Sequence, residues 1–345
     1  MSGGITQLVA VGAQDAHLVG NPEISFFRSN YRRHTNFAQS VERQVIQGNP
    51  SANGISTVRF ERKGDMLGYV YLSCKDSSAA VSLDWSNVID KVEILIGGQV
   101  IDTQDYTFSD ELAVDMFAQN LSKSALGGHY TGGGIAEWFY PLRFWFCENW
   151  QSAIPLVALQ YHDVEIRITW ANGLSLGTKT IECYANFITL DTTERDSISR
   201  TSQNMLIYQV QKAVASDSKV QELNFSHPIK YIASKTGGAL TSSNSRVKLQ
   251  LNGTDLTDFM FARPHYTTVA TYYHTPYGVG NASDFFLYPF SLDTSKQQPT
   301  GSLNFSRLDS VRVVSENENI TQDIYAVNLN ILRIENGMGG ITYAN

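Results

Sequence analysis

A chain of 345 residues exceeds the length at which one hydrophobic core usually stops growing, so two domains of roughly 150 to 200 residues are its natural division. A net charge of −7 excludes the broad basic face that nucleic-acid binding needs, although a local basic patch stays open. With 42% hydrophobic and 11% aromatic residues the chain is not disordered, and it has no apolar run long enough for a transmembrane helix.

The first twenty residues are small and polar with scattered apolar positions, and are expected to form an arm. Pro22 with Glu23 behind it could open a short helical turn. Phe26, Phe27 and Tyr31 then lead through Arg28, Arg32, Arg33 and His34, the densest basic cluster in the chain. That cluster is either a solvated helix face or a contact for an acidic partner, since arginine favours bidentate interface pairing.

Strand signals follow at 40–47, 55–62, 67–74, 88–96 and 99–103, and Ser56-Thr57-Val58-Arg59-Phe60 shows a period of two with Val58 and Phe60 on one face. Ser109-Asp110-Glu111 ahead of Leu112, Met116 and Phe117 predicts a short capped helix. Gly127-Gly128 and Gly132-Gly133-Gly134 bracket a predicted loop. The segments 138–146, 156–170 and 181–190 read as strands and close the first unit. The polar run 191–204 is the expected connector, with room for one helical turn. Strands are expected again at 205–213, 220–224, 229–233, 247–251, 269–273, 284–290, 301–305, 311–315 and 323–334, before a glycine-rich exposed tail from Gly337. Many short strands with almost no helical periodicity predict sandwich or jelly-roll units rather than a parallel α/β sheet.

The two halves rhyme. Lys91-Val92-Glu93-Ile94-Leu95-Ile96-Gly97-Gly98 is echoed by Arg246-Val247-Lys248-Leu249-Gln250-Leu251-Asn252-Gly253. An aromatic run with a proline follows each, at 138–144 and 285–290, and then a further strand, at 164–168 and 311–314. The matching order predicts one β-unit used twice.

No catalytic motif emerges. There is no Gly-x-Ser-x-Gly elbow, no P-loop and no His-Glu-x-x-His. The histidines, His17, His34, His129, His162, His227, His265 and His274, lack the spacing that gathers metal ligands. His162-Asp163 with Glu165 comes nearest, and alternating outward side chains on a strand explain it better. Trp138, Trp145 and Trp150 could form a carbohydrate platform, but packing in a doubly buried strand is the commoner use of such a run. Cys74, Cys147 and Cys183, far apart and odd in number, are expected to be reduced thiols, and residues 1–13 lack the pattern of a signal peptide, so the expected site of synthesis is the cytoplasm. No catalytic residue, cofactor or metal is therefore expected.

Several long motifs stand in a fixed order. They are Gly12-Ala13-Gln14-Asp15, Leu18-Val19-Gly20-Asn21-Pro22-Glu23-Ile24-Ser25-Phe26-Phe27-Arg28, and Tyr31-Arg32-Arg33-His34-Thr35-Asn36-Phe37-Ala38. Pro141-Leu142-Arg143-Phe144-Trp145-Phe146, then 154–162, 297–307, 325–334 and Gly337-Met338-Gly339-Gly340 continue the series over essentially the whole chain. Together these motifs resemble the major capsid proteins of nucleocytoplasmic large DNA viruses, the phycodnavirus-like double jelly-roll family. The resemblance implies an all-β fold of two tandem eight-stranded jelly-roll barrels with short helices in loops and an N-terminal arm. We expect an arm at 1–25, a first jelly roll at 26–195 and a second at 196–345. It implies a structural virion protein and no enzyme: a homotrimer making a pseudo-hexagonal capsomer, tiling an icosahedral shell beside neighbouring capsomers, above minor capsid proteins and an inner viral membrane, with no specific nucleic acid and with assembly in the host cytoplasm. Arg28, Tyr31, Arg32, Arg33 and His34 then fall at the capsomer base or between subunits. The intervals 237–245 and 258–264 are too short for large tower loops, which implies a plain outer surface. A double-barrel assembly scaffold and a glycan-binding surface module are the alternatives.

Overall fold

Alternation of apolar and polar residues turns into four antiparallel sheets, two in each half of the chain. In this computed structural model the described residues are 3–119, 123, 138–276 and 285–344. The chain divides into a small unit, Met1–Asn36, and a large one, Phe37–Asn345.

In the small unit, helices Gly3–Val9 and Ala16–Val19 flank a 3-10 turn at Ala13–Asp15, and Asp15 Oδ2 accepts the Gly12 N–H at 2.7 Å. The expected helical turn at Pro22 is absent. Asn21, at φ 52°, and the proline behind it stop the preceding helix instead of starting a new one.

In the large unit, the first sheet orders Phe37–Gln44, Lys179–Leu190, Met66–Asp76 and Ala79–Ala80, with Phe139–Pro141 and Ile154–Pro155 also paired to Met66–Asp76. The second orders Ile46–Gln47, Ile55–Arg59, Val164–Trp170, Ile89–Ile96 and Gln99–Asp105. Their facing sides enclose one core that includes Leu67, Leu72, Ile94, Ile166 and Phe187. The third sheet orders Gln203–Ala213, Ile324–Glu335, Pro228–Ser234 and Phe286–Pro289. The fourth orders Val220–Glu222, Val311–Ser315, Arg246–Leu251 and Thr254–Asp255. They enclose a second core, including Ile232, Val247, Val313 and Ile324.

The rhyme in the sequence is a rhyme in topology. Ile89–Ile96 and Arg246–Leu251 hold the same place in their sheets, each paired on one side with its half's returning strand, Val164–Trp170 or Val311–Ser315. Each turns on a two-residue hairpin, Gly97-Gly98 (φ 59° and 81°) or Asn252-Gly253 (φ 49° and 79°). Positive φ at both central residues is what a type I′ turn requires. The aromatic runs also match: Phe139–Pro141 and Phe286–Pro289 lie on Met66–Asp76 and Pro228–Ser234.

Gly97 has a second constraint. A Cβ there would lie 2.4 Å from His162 Nδ1, while one at Gly98 would meet nothing within 4 Å. Gly97→Ala is expected to lower stability by about 2 kcal/mol or more, and Gly98→Ala by about 1 kcal/mol from the backbone alone. Paired thermal denaturation of the two variants checks this, and equal losses would remove the steric explanation.

Further expectations are corrected, among them the strand at 301–305, which is strand only at Leu303–Asn304. The helix expected from Ser109 begins at Thr107 as a wide turn running to Leu112 and continues as Ala113–Met116. Asp105 rather than Ser109 receives its first free N–H, from Phe108 at 2.9 Å, and Ser109 is buried. The expected strand 138–146 is strand only at Phe139–Pro141 before the helical turn Trp145–Glu148, because Pro141 supplies no ladder N–H. The expected strand 156–170 is strand only at Val164–Trp170, since 157–159 bond back to Asp65, Pro155 and Leu156. The expected strand at 269–273 is helix, Ala262–Val269 and Ala270–His274. Val269, Thr271, Tyr272 and Tyr273 favour a strand locally, and tertiary packing of Tyr266 and Thr271 overrides that propensity. The connector does hold a helix, Thr192–Arg200, capped by Asp191 at 2.9 Å to Thr192 N–H. The glycine-rich tail is partly strand, Met338–Ile341, hairpinned onto Ile324–Glu335. The loop predicted around 127–134 lies outside the described residues.

Candidate functional site

The two barrels meet along the third sheet. The third sheet is buried on both sides. Alternate residues of Ile324–Glu335 divide between cores: Ile324 and Ala326 point into the second, Tyr325 and Val327 into the first. Tyr231, Ala233 and Leu287 join that seam, and all are fully buried. A strand buried on both faces reads as a continuous apolar run, as Tyr231–Ala233 and Ile324–Val327 do.

The first barrel receives this sheet on its hairpin strand and the helix that follows. Phe108 lies 5.8 Å from the Tyr325 ring and Phe117 lies 4.8 Å from Tyr208. Polar groups fix the register. Tyr325 Oη donates to Asp105 Oδ2 at 2.7 Å, Val210 N–H to Asp102 Oδ1 at 2.8 Å, and Tyr208 Oη to the Arg143 carbonyl at 3.1 Å. Lys212 bridges Asp105 at 2.9 Å and Asp323 at 2.8 Å, across the seam. Burial pushes the Asp102 carboxyl up to about 7, against the three N–H groups it accepts from.

By contrast the first sheet leaves its outer side open. Tyr69 and Tyr71 stack at 6.5 Å, Tyr71 and Tyr184 at 5.4 Å, and Phe139 meets Tyr71 edge-on at 6.0 Å. Beside them Glu182 binds Arg43 at 2.9 Å and also Lys75. These hydrogen bonds hold the Glu182 carboxyl below the usual carboxylate range, with Lys75 the strongest influence.

The cluster singled out in the sequence lies in the small unit. Arg28, Tyr31, Arg32, Arg33 and His34 are all exposed, Tyr31 at 82%, in a stretch with neither helix nor strand. The structure therefore gives the arginines no helix face. His34 Nδ1 lies 2.8 Å from the Thr35 carbonyl.

The tryptophans do not share a face. Trp145 is fully buried, whereas Trp138 and Trp150 are exposed at 57% and 82%. Trp145 packs edge-on to Phe146 at 5.4 Å and anchors the first core. His162 is structural: its Nδ1 lies 3.0 Å from the Gly339 carbonyl, and Asp163 pairs with Arg59 at 2.5 Å. The three cysteines are free, and burial pushes the Cys183 thiol up to about 12.

Residues 25–209 match the family described as major capsid protein N-terminus, and 233–340 match that described as large eukaryotic DNA virus major capsid protein. A major capsid protein of Pyramimonas orientalis virus is 34% identical, covering all of both chains, and one of Paramecium bursaria Chlorella virus 1 is 29% identical with the same coverage. The first of these alignments spans 407 positions for this chain's 345 residues, so the relative carries insertions that this chain lacks. Among solved structures, PBCV-1 VP54, in the crystal structure fitted into a reconstruction of the virophage Sputnik, superposes with a TM-score of 0.76 at 25% identity. That match covers 93% of this chain and 100% of the other. The fold is accordingly a double jelly roll. The chain belongs to the major capsid protein family of large eukaryotic DNA viruses.

Proposed function

We propose that this virion capsid component, a structural protein and not an enzyme, acts by closing three copies into a capsomer of pseudo-hexagonal outline. The observation that carries this reading is the duplication: two barrels of the same topology, joined by an apolar seam, make one chain two-sixths of a ring. Capsomers then tile an icosahedral shell against neighbouring capsomers. A first barrel at 26–195 and a second at 196–345 divide the chain as repeating units, with 1–25 as the arm. The exposed Arg28, Tyr31, Arg32, Arg33 and His34 serve at the capsomer base or between subunits, facing minor capsid proteins and an inner membrane. Synthesis and assembly are placed in the host cytoplasm.

Obligate interfaces usually bury upward of about 2,000 Å² and are apolar at their centre. Light scattering on purified protein at micromolar concentration is expected to give three chain masses, and electron microscopy six-lobed particles with threefold symmetry. A protein that stays monomeric under near-neutral, moderate-salt conditions overturns the reading.

A further inference from the structure

A polar cavity of about 360 Å³ opens where the turn Arg62-Lys63-Gly64-Asp65, the end of strand Lys179–Leu190 and helix Thr192–Arg200 meet. It is built to hold two arginines still. Asp65 is fixed through its backbone, its N–H on the Ile188 carbonyl at 2.9 Å and its own carbonyl accepting from Val157 at 3.0 Å. Its buried carboxylate accepts the Leu190 N–H on Oδ2 at 2.9 Å and Arg195 Nε on Oδ1 at 2.9 Å. A guanidinium held by Nε keeps both terminal amino groups for a ligand, and among the described residues the Arg195 side chain has no other partner. Arg62 is tethered through Nη2 to the carbonyls of Leu159 at 2.5 Å and Gln160 at 3.0 Å. Carbonyls orient a guanidinium without neutralising it. Among the described residues the one carboxylate within 4 Å of Arg62 is Asp163, at 3.8 Å, and it is already paired with Arg59 at 2.5 Å. Lys63 differs, because Glu61 at 3.3 Å and Glu42 at 3.7 Å answer its charge. Thr189 adds an exposed hydroxyl to the wall.

We propose that this cavity binds a phosphate group, carried by a small organic phosphate or by a lipid headgroup, with Arg62 and Arg195 as its two forks. A planar guanidinium makes two parallel N–H···O bonds, and a phosphate ester has enough acceptor oxygens for two such forks and the Thr189 hydroxyl together. A carboxylate, with two oxygens, satisfies only one fork. The cavity falls in the range of small-molecule sites, roughly 300 to 1,000 Å³, so it has room for more than the bare ion. Both arginines are held before a ligand arrives, so little side-chain freedom is lost on binding. Every group belongs to one chain, so the site is complete with or without trimer closure.

The test uses the full-length protein in whatever assembly it forms. One arm is calorimetric titration with glycerol 3-phosphate, and with acetate for comparison. The other is cosedimentation with phosphatidylcholine vesicles, with and without phosphatidic acid. Saturable binding of about one phosphate group per chain is expected, with acetate about 10-fold weaker or more. Binding of the soluble ester identifies a free phosphate as the source, and binding confined to vesicles with phosphatidic acid identifies the headgroup. Arg62→Gln and Arg195→Gln are each expected to raise the dissociation constant by about 10-fold or more, the loss of a charge-assisted fork. Arg312→Gln, an exposed arginine of the second barrel paired with Glu222, is expected to leave it within about twofold. Melting temperature verifies that each variant folds. Arg195→Lys, which keeps a cation for Asp65 but loses the fork, replaces Arg195→Gln if that does not, and Arg62→Lys stands in likewise. No saturable binding in either arm, arginine variants as tight as the wild type, or an equal loss in Arg312→Gln overturns the assignment.

Discussion

Phe108→Ala is expected to lower the unfolding free energy by about 3 to 5 kcal/mol, the range for deleting a buried aromatic ring. The loss is expected to be felt by both barrels at once. Phe108 is wholly buried in the helix that follows the first barrel's hairpin strand, with Phe117 at 6.0 Å and Tyr325 of the second barrel at 5.8 Å. Its core is shared: Tyr231, Ala233, Leu287, Tyr325 and Val327 of the second half belong to the same apolar cluster as Leu67 and Ile94 of the first. Two barrels that share one core unfold together, because exposing either face of the third sheet uncovers apolar area from both halves. Urea denaturation followed by far-ultraviolet circular dichroism and by tryptophan fluorescence is expected to show one coincident transition for the wild type. The variant is expected to keep the slope and lower the midpoint. Two separated transitions, or a loss below about 1 kcal/mol, would mean that the barrels are stable apart and that the seam is a docking contact rather than a core.

The part of this architecture legible in the sequence was the part governed by local rules. The hairpins at Gly97-Gly98 and Asn252-Gly253 declare themselves because only residues tolerant of positive φ suit a type I′ turn. Alternation marks Met66–Asp76 from Tyr69 onward, with Val70, Leu72 and Cys74 inward and Tyr69 and Tyr71 outward, since only one side of that sheet is covered. The same rule hides the seam. Pro228–Ser234 and the first half of Ile324–Glu335 are apolar at nearly every position, and a period of two vanishes when both faces are buried. The helical stretch 264–274 runs against its local sequence for another reason. Its β-branched run favours a strand locally, and what holds it in helical form is its packing, with Tyr266 set against Phe286 at 5.4 Å and Tyr288 at 5.6 Å. The open sheet side escaped notice because Tyr69, Tyr71, Phe139 and Tyr184 come from three strands, and only pairing brings them together. The arginine cluster was the reverse case, conspicuous in sequence and yet given no common helical face by the fold.

The protein is expected to be more stable at about pH 5.5 than at about pH 7.5, and the cause lies in two buried carboxyls. Burial raises both Asp102 and Asp115 from 3.8 to about 7; hydrogen bonds from Val210, Gln104 and Thr103 oppose this at Asp102, and Arg143 opposes it at Asp115. A carboxyl that holds its proton more tightly folded than unfolded stabilises the fold fully below its unfolded value. That contribution drains away as pH rises and is gone once the pH passes about 7. Between those limits each group lowers stability by at most about 1.4 kcal/mol per pH unit. Lys230 acts in the opposite sense at higher pH. Burial pushes its ammonium from 10.5 down to about 8, although it donates to the carbonyls of Thr294 at 3.0 Å and Lys296 at 2.8 Å. The folded chain therefore sheds that proton first, a gain between about pH 8 and 10.5 that is opposed there by buried thiols such as Cys183, which burial keeps protonated. The urea midpoint is thus expected to fall from about pH 5.5 to about 7.5. Asp102→Asn and Asp115→Asn are each expected to flatten that fall. Because Asp102 binds the Val210 N–H across the seam, its variant also reports whether the titration is felt where the barrels join. A wild-type midpoint that is level or rising from pH 5.5 to 7.5, unchanged in both asparagine variants, would show that these carboxyls are ionised in the fold and that their hydrogen bonds outweigh their burial.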